Sequence, residues 1–315
     1  QNYRSTRFIV DAANSVIAKN TEQIEKVVWT HNEEGQRIKI HRCYSDHEEG
    51  KLVASGIFDT HNQQQSHWQN FAILYRTNAQ SRSFEESLRK LNIPYRIYGG
   101  LSFYQRKEIK DLIAYFRLTA NHRDDEALKR VINYPARGIG KTTLDRLLVE
   151  STERELAIWD LVENVLEPPT SIQGAALRKV KDFIATVKGF AAELNTKDAH
   201  DLGMHIAKHT GLVHTLYQDK TPEGVARYDN VQELLNGMKS FGEQERRDKP
   251  DAIPTLGDFL MDVALLTDAD QDDGDNNKVS LMSIHAAKGL EFTHVQIVGL
   301  EENLFPSQMA MQSRA

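Results

Sequence analysis

Residues 279–306 concentrate the groups most suited to chemistry in this 315-residue chain. Two apolar runs, 279–284 and 295–300, flank a polar cluster of His285, Lys288, Gly289 and Glu291. Runs of that length and composition are those of buried strands. Polar residues at the C-terminal end of a buried parallel strand stand where open α/β sheets place their ligands. A Lys-Gly pair there suits a phosphate, because Lys supplies charge and Gly lets the backbone approach closely. A second segment, Arg137-Gly138-Ile139-Gly140-Lys141-Thr142-Thr143, ends like the phosphate-cradling loop G-x-x-x-x-G-K-[ST]. Its first glycine would fall at Pro135, and Asn133-Tyr134-Pro135 precedes it instead of an apolar strand, which excludes that loop. Two readings stay open for it: a turn whose backbone N–H groups hold a phosphate, and a plain helix–helix turn. The acids of 268–275 mimic a calcium loop, but its required Gly falls at Asp273 and its required Glu at Val279. The histidines show no metal-site spacing.

These groups need a scaffold, and the composition sets its limits. Hydrophobic content of 40% and charged content of 27% are ordinary for a globular protein, and the length suffices for two domains with real cores. Cys43 is the one cysteine, which excludes a disulfide framework and a cysteine-rich zinc site and fits a reducing, cytoplasmic setting. There is no apolar run of about 18 residues, so no membrane span is expected. The net charge of −6 is unevenly spread. Residues 71–111 hold eight Lys/Arg against four acids, and residues 129–146 hold five basic residues against Asp145 alone. Local basic patches matter more than the total for phosphate contact.

Along the chain, Ser5 or Thr6 can cap a helix through Asn20 with Phe8, Ile9, Ala12, Val16 and Ile17 on one face. Ile38, Ile40 and Arg42 alternate as in a strand, and 51–58 reads as a helix. Phe71–Tyr75 is an apolar strand ending in Arg76-Thr77-Asn78, a helix runs from Ser81 or Ser83 to Leu91, and 95–98 is a strand closed by Gly99-Gly100. Such alternation predicts a mostly parallel sheet. From about Tyr104 to Leu266 helical periodicity takes over, with Leu177, Val180, Phe183, Ile184, Val187, Phe190 and Leu194 as its clearest stripe. Pro168-Pro169, Thr221-Pro222-Glu223-Gly224 and Lys249-Pro250 are expected helix breaks. The strand pattern resumes at Val279 after a polar, acidic linker, 268–277. An α/β unit is thus interrupted by an all-helical insertion.

Several blocks together resemble the UvrD/PcrA/Rep-type superfamily-one DNA helicases. His285-Ala286-Ala287-Lys288-Gly289-Leu290-Glu291-Phe292 resembles that family's motif V, and 299–306 continues it. Gln1-Asn2-Tyr3-Arg4-Ser5 resembles motif IV. Residues 72–82 resemble a further block, as do Tyr98-Gly99-Gly100 with 106–111. The blocks run in family order over nearly the whole chain. The resemblance implies a RecA-like parallel sheet of the P-loop NTPase type, the second motor domain, formed by 1–105 and 278–315. Residues 106–277 would be the inserted helical accessory domain.

It also implies roles. Tyr3 would stack on the adenine of ATP and Arg4 would reach the γ-phosphate, which fits a flat ring and a guanidinium fork. Glu291 would accept a hydrogen bond from the ribose, with Gly289 packed beside the nucleotide. Arg76, Asn78, His285 and Lys288 would contact single-stranded DNA, with Arg82 a further cation of that block. Ser102 departs from the Lys or Arg common in the family, which puts one phosphate contact in doubt. Arg137, Gly138, Ile139, Gly140 and Lys141 would hold duplex DNA through backbone N–H groups.

The implied parent is an ATP- and Mg²⁺-dependent helicase moving 3′ to 5′ on single-stranded DNA and unwinding junction duplex in repair or replication. Its partners would be DNA, an N-terminal motor domain and repair proteins. Alternatives are a helicase–nuclease subunit and a non-catalytic DNA-binding module of the same fold. The phosphate loop, the Mg²⁺ carboxylates and the motif VI arginine of the family have no match between Gln1 and Ala315. This stretch alone is therefore expected not to hydrolyse ATP, with or without DNA. A DNA-stimulated ATPase rate in purified residues 1–315, abolished by Lys141→Ala, would overturn that and the exclusion of the 137–143 loop.

Overall fold

Four parallel strands form the sheet of this protein, seen in a computed structural model that describes residues 1–20, 26–163, 170–267, 275–302 and 304–305. They are β1 (Phe71–Tyr75), β2 (Tyr95–Ile97), β3 (Val279–Ser283) and β4 (His294–Ile297), in the order β2-β3-β1-β4. Twelve helices surround or extend it among the described residues. Three belong to the sheet's side of the chain: α1 (Arg7–Ile17), α2 (Asp46–Gln64) and α3 (Ser81–Lys90). The others run from α4 (Lys107–Ala120) through α5 (Asp125–Val131), α6 (Lys141–Arg154), α7 (Ile158–Glu163), α8 (Gly174–Ala191), α9 (Ala199–His209), α10 (Leu212–Gln218) and α11 (Pro222–Asp248) to α12 (Leu256–Thr267). The break expected at Pro168-Pro169, most of the acidic linker and the chain beyond Phe305 lie outside the described residues.

Buried apolar side chains fall into two clusters. In the first, Phe71, Ile73 and Tyr75 of β1 and Val279 and Leu281 of β3 pack with Val53, Ala54 and Ile57 of α2 and Phe84 and Leu88 of α3. Central parallel strands covered on their faces need continuous apolar runs, which these are. The second cluster is helical and runs from Phe103 to Leu266, taking in the buried stripe Val180, Phe183, Ile184, Val187 and Phe190 of α8.

Two local expectations are corrected. Residues 38–42 form no strand; Ile40 is exposed and Ile38 largely so. Alternation makes a strand only where a neighbour offers a ladder, and none pairs there. Helix α2 begins at Asp46, earlier than the expected 51, because Ser45 caps it and Glu48 ties down the residue before the cap: Ser45 Oγ accepts from Glu48 N at 3.1 Å, and the Glu48 carboxylate accepts from Tyr44 N at 2.7 Å. The break expected at Thr221-Pro222-Glu223-Gly224 falls between α10, which ends at Gln218, and the 27-residue α11, which begins at Pro222 with Thr221 Oγ1 accepting from Gly224 N. Proline is tolerated in a first turn, where its missing N–H costs nothing.

The two clusters meet at a polar junction. Arg82, the further cation of the 72–82 block, is 3% exposed. Its guanidinium donates to Glu233 of α11 at 2.8 Å, to Glu86 of α3 at 3.0 Å and to Asp46 of α2 at 2.7 Å. Burial alone would lower its pKa, but the pull of Glu86 and Glu233 outweighs that and the guanidinium stays charged. Burial in turn pushes the Glu233 carboxyl up, against the pull of Arg82. Removing one member of a buried ion cluster strands the others and costs about 3–5 kcal/mol. Arg82→Ala should therefore destabilise the protein by about 3 kcal/mol near pH 7.5. Stranded carboxylates have folded pKa values above their unfolded ones, so their cost is present at high pH and is relieved as pH falls. Urea titrations at pH 7.5 and pH 5 should show a smaller loss at pH 5; equal losses would refute this account of Arg82.

Candidate functional site

The C-terminal ends of all four strands open on one edge of the sheet, and the segments that carry Arg76, Asn78, His285, Lys288, Gly289 and Glu291 start there. Tyr75 of β1 lies opposite Ser283 of β3, and Ile284 N donates to Tyr75 O at 2.9 Å. The next residues of both strands, 76–78 and 284–291, thus leave side by side. Tyr98, after β2, donates to Leu281 O at 2.9 Å, and a Cβ placed on Gly100 would stand 3.7 Å from Asn78 Nδ2. Val298, after β4, donates to Leu74 O at 3.0 Å and delivers Gly299 against the Gln80 side chain.

The 76–80 loop is closed on itself. Gln80 Oε1 accepts from Arg76 N at 3.0 Å and from Thr77 N at 2.9 Å. Thr77 and Gln80 form a reciprocal capping box on the 3-10 turn Asn78–Gln80. Asn78 is exposed and Arg76 half-buried on this fixed backbone. After β3 the chain turns tightly, with Ala287 N bonded to Ser283 O and Leu290 N to Ala287 O. His285 and Lys288 are exposed on that turn. Gly289 has φ +91°, a conformation that favours glycine, and the space beside its Cα is open.

The first residues of the chain meet this turn. Arg4 Nε donates to Glu291 Oε1 at 2.7 Å, joining groups 287 positions apart. Both side chains remain more than half exposed, and the Tyr3 ring is 79% exposed. The backbone beneath them is held by two asparagines that the sequence reading missed. Asn2 Oδ1 accepts from Arg4 N and Ser5 N, both at 2.9 Å, and Asn32 Nδ2 donates to Tyr3 O and Ser5 O. Asn2 stood inside the recognised block and the local Asx pattern could have flagged it; Asn32 carries no such signal. An aromatic ring, a guanidinium and a carboxylate are thus exposed on two adjoining segments, with an open glycine two residues before the carboxylate, and such a set suits the base, phosphate and ribose of a nucleotide.

The 137–141 segment lies apart, in the helical cluster, and the structure corrects two members of that set. The Arg137 guanidinium donates to the carbonyls of Val131, Pro135 and Thr210, each at 3.1 Å, and lies over the rings of Tyr115 and Phe183. Ile139 is buried in the helical core. The N–H groups of Arg137 and Ile139 both go to Asn133 Oδ1, at 2.8 and 3.1 Å. Both residues therefore build the turn. Gly140 remains exposed with open space beside it, immediately before α6, whose first N–H groups are exposed by helix geometry. A missed neighbour is Lys179 of α8, whose Nζ donates to Gly138 O at 3.1 Å. Among the described residues the one group of three potential metal-binding side chains, Asp198, His200 and Asp201, also sits in the helical cluster. Asp198 there is committed to capping α9 and to Arg246.

Known proteins resemble this chain over nearly its whole length. The family described as UvrD-like helicase C-terminal domain matches residues 1–315. An ATP-dependent DNA helicase PcrA from Leuconostoc citreum is 37% identical over 311 residues, 99% of this chain and 41% of its own. DNA helicase II of Escherichia coli K12 is 38% identical over 311 residues, 99% of this chain and 42% of its own. DNA helicase II of Haemophilus influenzae is 39% identical over 312 residues, 98% of this chain and 42% of its own. The chain spans about two fifths of the length of these relatives. With a family match from end to end, and a RecA-like parallel sheet whose strand ends carry the motif residues, the chain belongs to the UvrD-like helicase C-terminal domain family.

Proposed function

We propose that this chain is the second motor domain, with its inserted accessory domain, of an ATP-dependent DNA helicase that moves 3′ to 5′ on single-stranded DNA in the cytoplasm. The two apolar clusters support a division close to 1–105 with 278–315 and an insertion of 106–277, with Phe103 and Tyr104 already packed among the helices. The observation that carries the reading is the Arg4–Glu291 contact of 2.7 Å. It brings the two motif segments together beside the turn that bears His285 and Lys288. In this reading Tyr3 takes the base, Glu291 the ribose and Arg4 the terminal phosphate, with Gly289 leaving room. Bound ATP supplies the phosphoryl group; Arg4 holds charge at its oxygens. Mg²⁺ would be held by carboxylates of the first motor domain. One short turn thus serves nucleotide through Glu291 and single-stranded DNA through His285 and Lys288, with Arg76 and Asn78 on the adjacent strand end. Duplex would be met by Gly138, Gly140 and Lys141, the last two at the start of α6.

In the full-length helicase, Tyr3→Ala should chiefly raise KM for ATP. Arg4→Ala should lower kcat by about 10²-fold, because its charge matters most in the transition state. The ion pair is exposed, so Arg4→Ala should shift folding stability by no more than about 1 kcal/mol. Steady-state ATPase kinetics with a parallel urea titration decide; small, equal effects of both substitutions would count against the nucleotide assignment.

The two DNA surfaces separate in a second experiment. Lys288→Ala should weaken single-strand binding and flatten its salt dependence by about one phosphate's worth. Gly140→Val, at a position with room for the side chain, should block backbone approach to a phosphate and weaken binding to duplex with a 3′ tail. Its single-strand affinity should be unchanged. Fluorescence anisotropy at several salt concentrations checks both, and a folded Gly140→Val protein that loses both affinities equally would refute the division.

A further inference from the structure

The polar junction between the two clusters contains a second buried arginine besides Arg82. Arg106 is 7% exposed and stands directly before α4, the first helix of the insertion. Its Nη2 donates to Ser81 Oγ at 2.8 Å and its Nη1 to Asn230 Oδ1 of α11 at 2.8 Å. Both acceptors are buried as well. Each is held in turn: Ser81 Oγ donates to Glu85 Oε1 at 2.7 Å, and Asn230 Nδ2 donates to Glu108 Oε1 at 2.6 Å. Glu85, fully buried, also accepts from Phe103 N, just upstream of Arg106. The guanidinium stacks over the Phe103 ring.

Ser81 is the residue after Gln80, whose carboxamide closes the 76–80 loop. Arg106 therefore grips the base of the loop that carries Arg76 and Asn78, and the same side chain grips α11. A buried guanidinium whose direct acceptors are neutral, with the carboxylates of Glu85 and Glu108 one hydrogen bond further out, is an expensive way to fill space, and apolar side chains can stabilise such a junction as well. Its planar fork does what they cannot: it fixes two acceptors in one plane. We infer that Arg106 is a positioning residue that sets the 76–80 loop through Ser81 and ties it to helix α11 through Asn230, so that the seating of the helical insertion adjusts the loop's hold on single-stranded DNA. The inference rests on the proposed assignment of that loop to DNA. Arg106 itself, being buried, touches no nucleic acid.

The test uses the full-length helicase and a single-stranded oligonucleotide without nucleotide, read by fluorescence anisotropy. Arg106→Gln should raise the Kd about tenfold, the worth of one charged hydrogen bond that holds the loop. The DNA concentration for half-maximal ATPase stimulation should rise in step, while KM for ATP stays unchanged. Ser81→Ala removes one small hydroxyl and should fold even if Arg106→Gln does not. It should give a similar rise in Kd, and the double variant should show no further loss, because both break one link. Arg106→Lys, which keeps the charge and one donor, should recover part of the affinity. A purely structural role would move thermal stability and KM for ATP along with Kd. Arg76→Ala and Asn78→Ala serve as references. If they weaken binding and folded Ser81→Ala does not, the positioning role is wrong and the DNA assignment stands. If they leave binding intact, the DNA assignment of the loop fails and this inference with it.

Discussion

The pairing of β1 with β3 is the constraint on which the rest depends. These strands lie about 200 positions apart in the chain, yet Ala72 to Tyr75 pair in parallel with Ser280 to Ser283. A parallel ladder of this kind has a fixed register, because a slip by one residue would turn every buried side chain to the other face. With the register fixed, the ends of the strands are level, and Arg76 and Ile284 start their loops from the same height. The helical cluster can be inserted between β2 and β3 because the chain returns to the same sheet. Nothing in the sheet's own core requires that insertion.

Much of this was legible in the residues. Strands β1, β2 and β3 are short, apolar and bounded by turn residues, and a periodicity of two or a solid apolar run specifies them to within a residue. The stripe on α8 specifies its buried face in the same way. The motif blocks carried the family, and two of them meet in the fold at the Arg4–Glu291 contact. What could not be read was the third dimension of polar side chains. Arg82 and Arg76 look alike in the sequence, yet one lies beneath α11 among three carboxylates and the other stands at a strand end. Arg137 looks like a phosphate ligand until its three carbonyl acceptors are known. Ile38 and Ile40 have the alternation of a strand, but alternation says nothing about whether a partner is present.

The junction between the clusters differs from both in kind. Each core is held by apolar contact that tolerates small adjustments. The surface between them is held by Arg82, Arg106, Glu85, Glu108, Asn230 and Glu233, whose hydrogen bonds demand particular angles and lengths. Apolar surfaces can slide past one another with gradual loss of energy, whereas a buried polar set is either matched or unmatched. The seating of the helical cluster is accordingly defined sharply, and a different seating would need a different set of partners.

Gly299 shows how far such matching reaches. It follows β4 in a left-handed conformation with its N–H bonded to Glu49 Oε1 at 2.9 Å, and the Gln80 carboxamide occupies the place a side chain would take. That carboxamide is the clasp of the 76–80 loop. A methyl group at 299 would evict it and leave the N–H groups of Arg76 and Thr77 without their acceptor. The position thus behaves as a keyhole: it contributes no functional atom, and its emptiness is what lets a side chain from a neighbouring strand end reach through and fasten a surface that the glycine itself never touches.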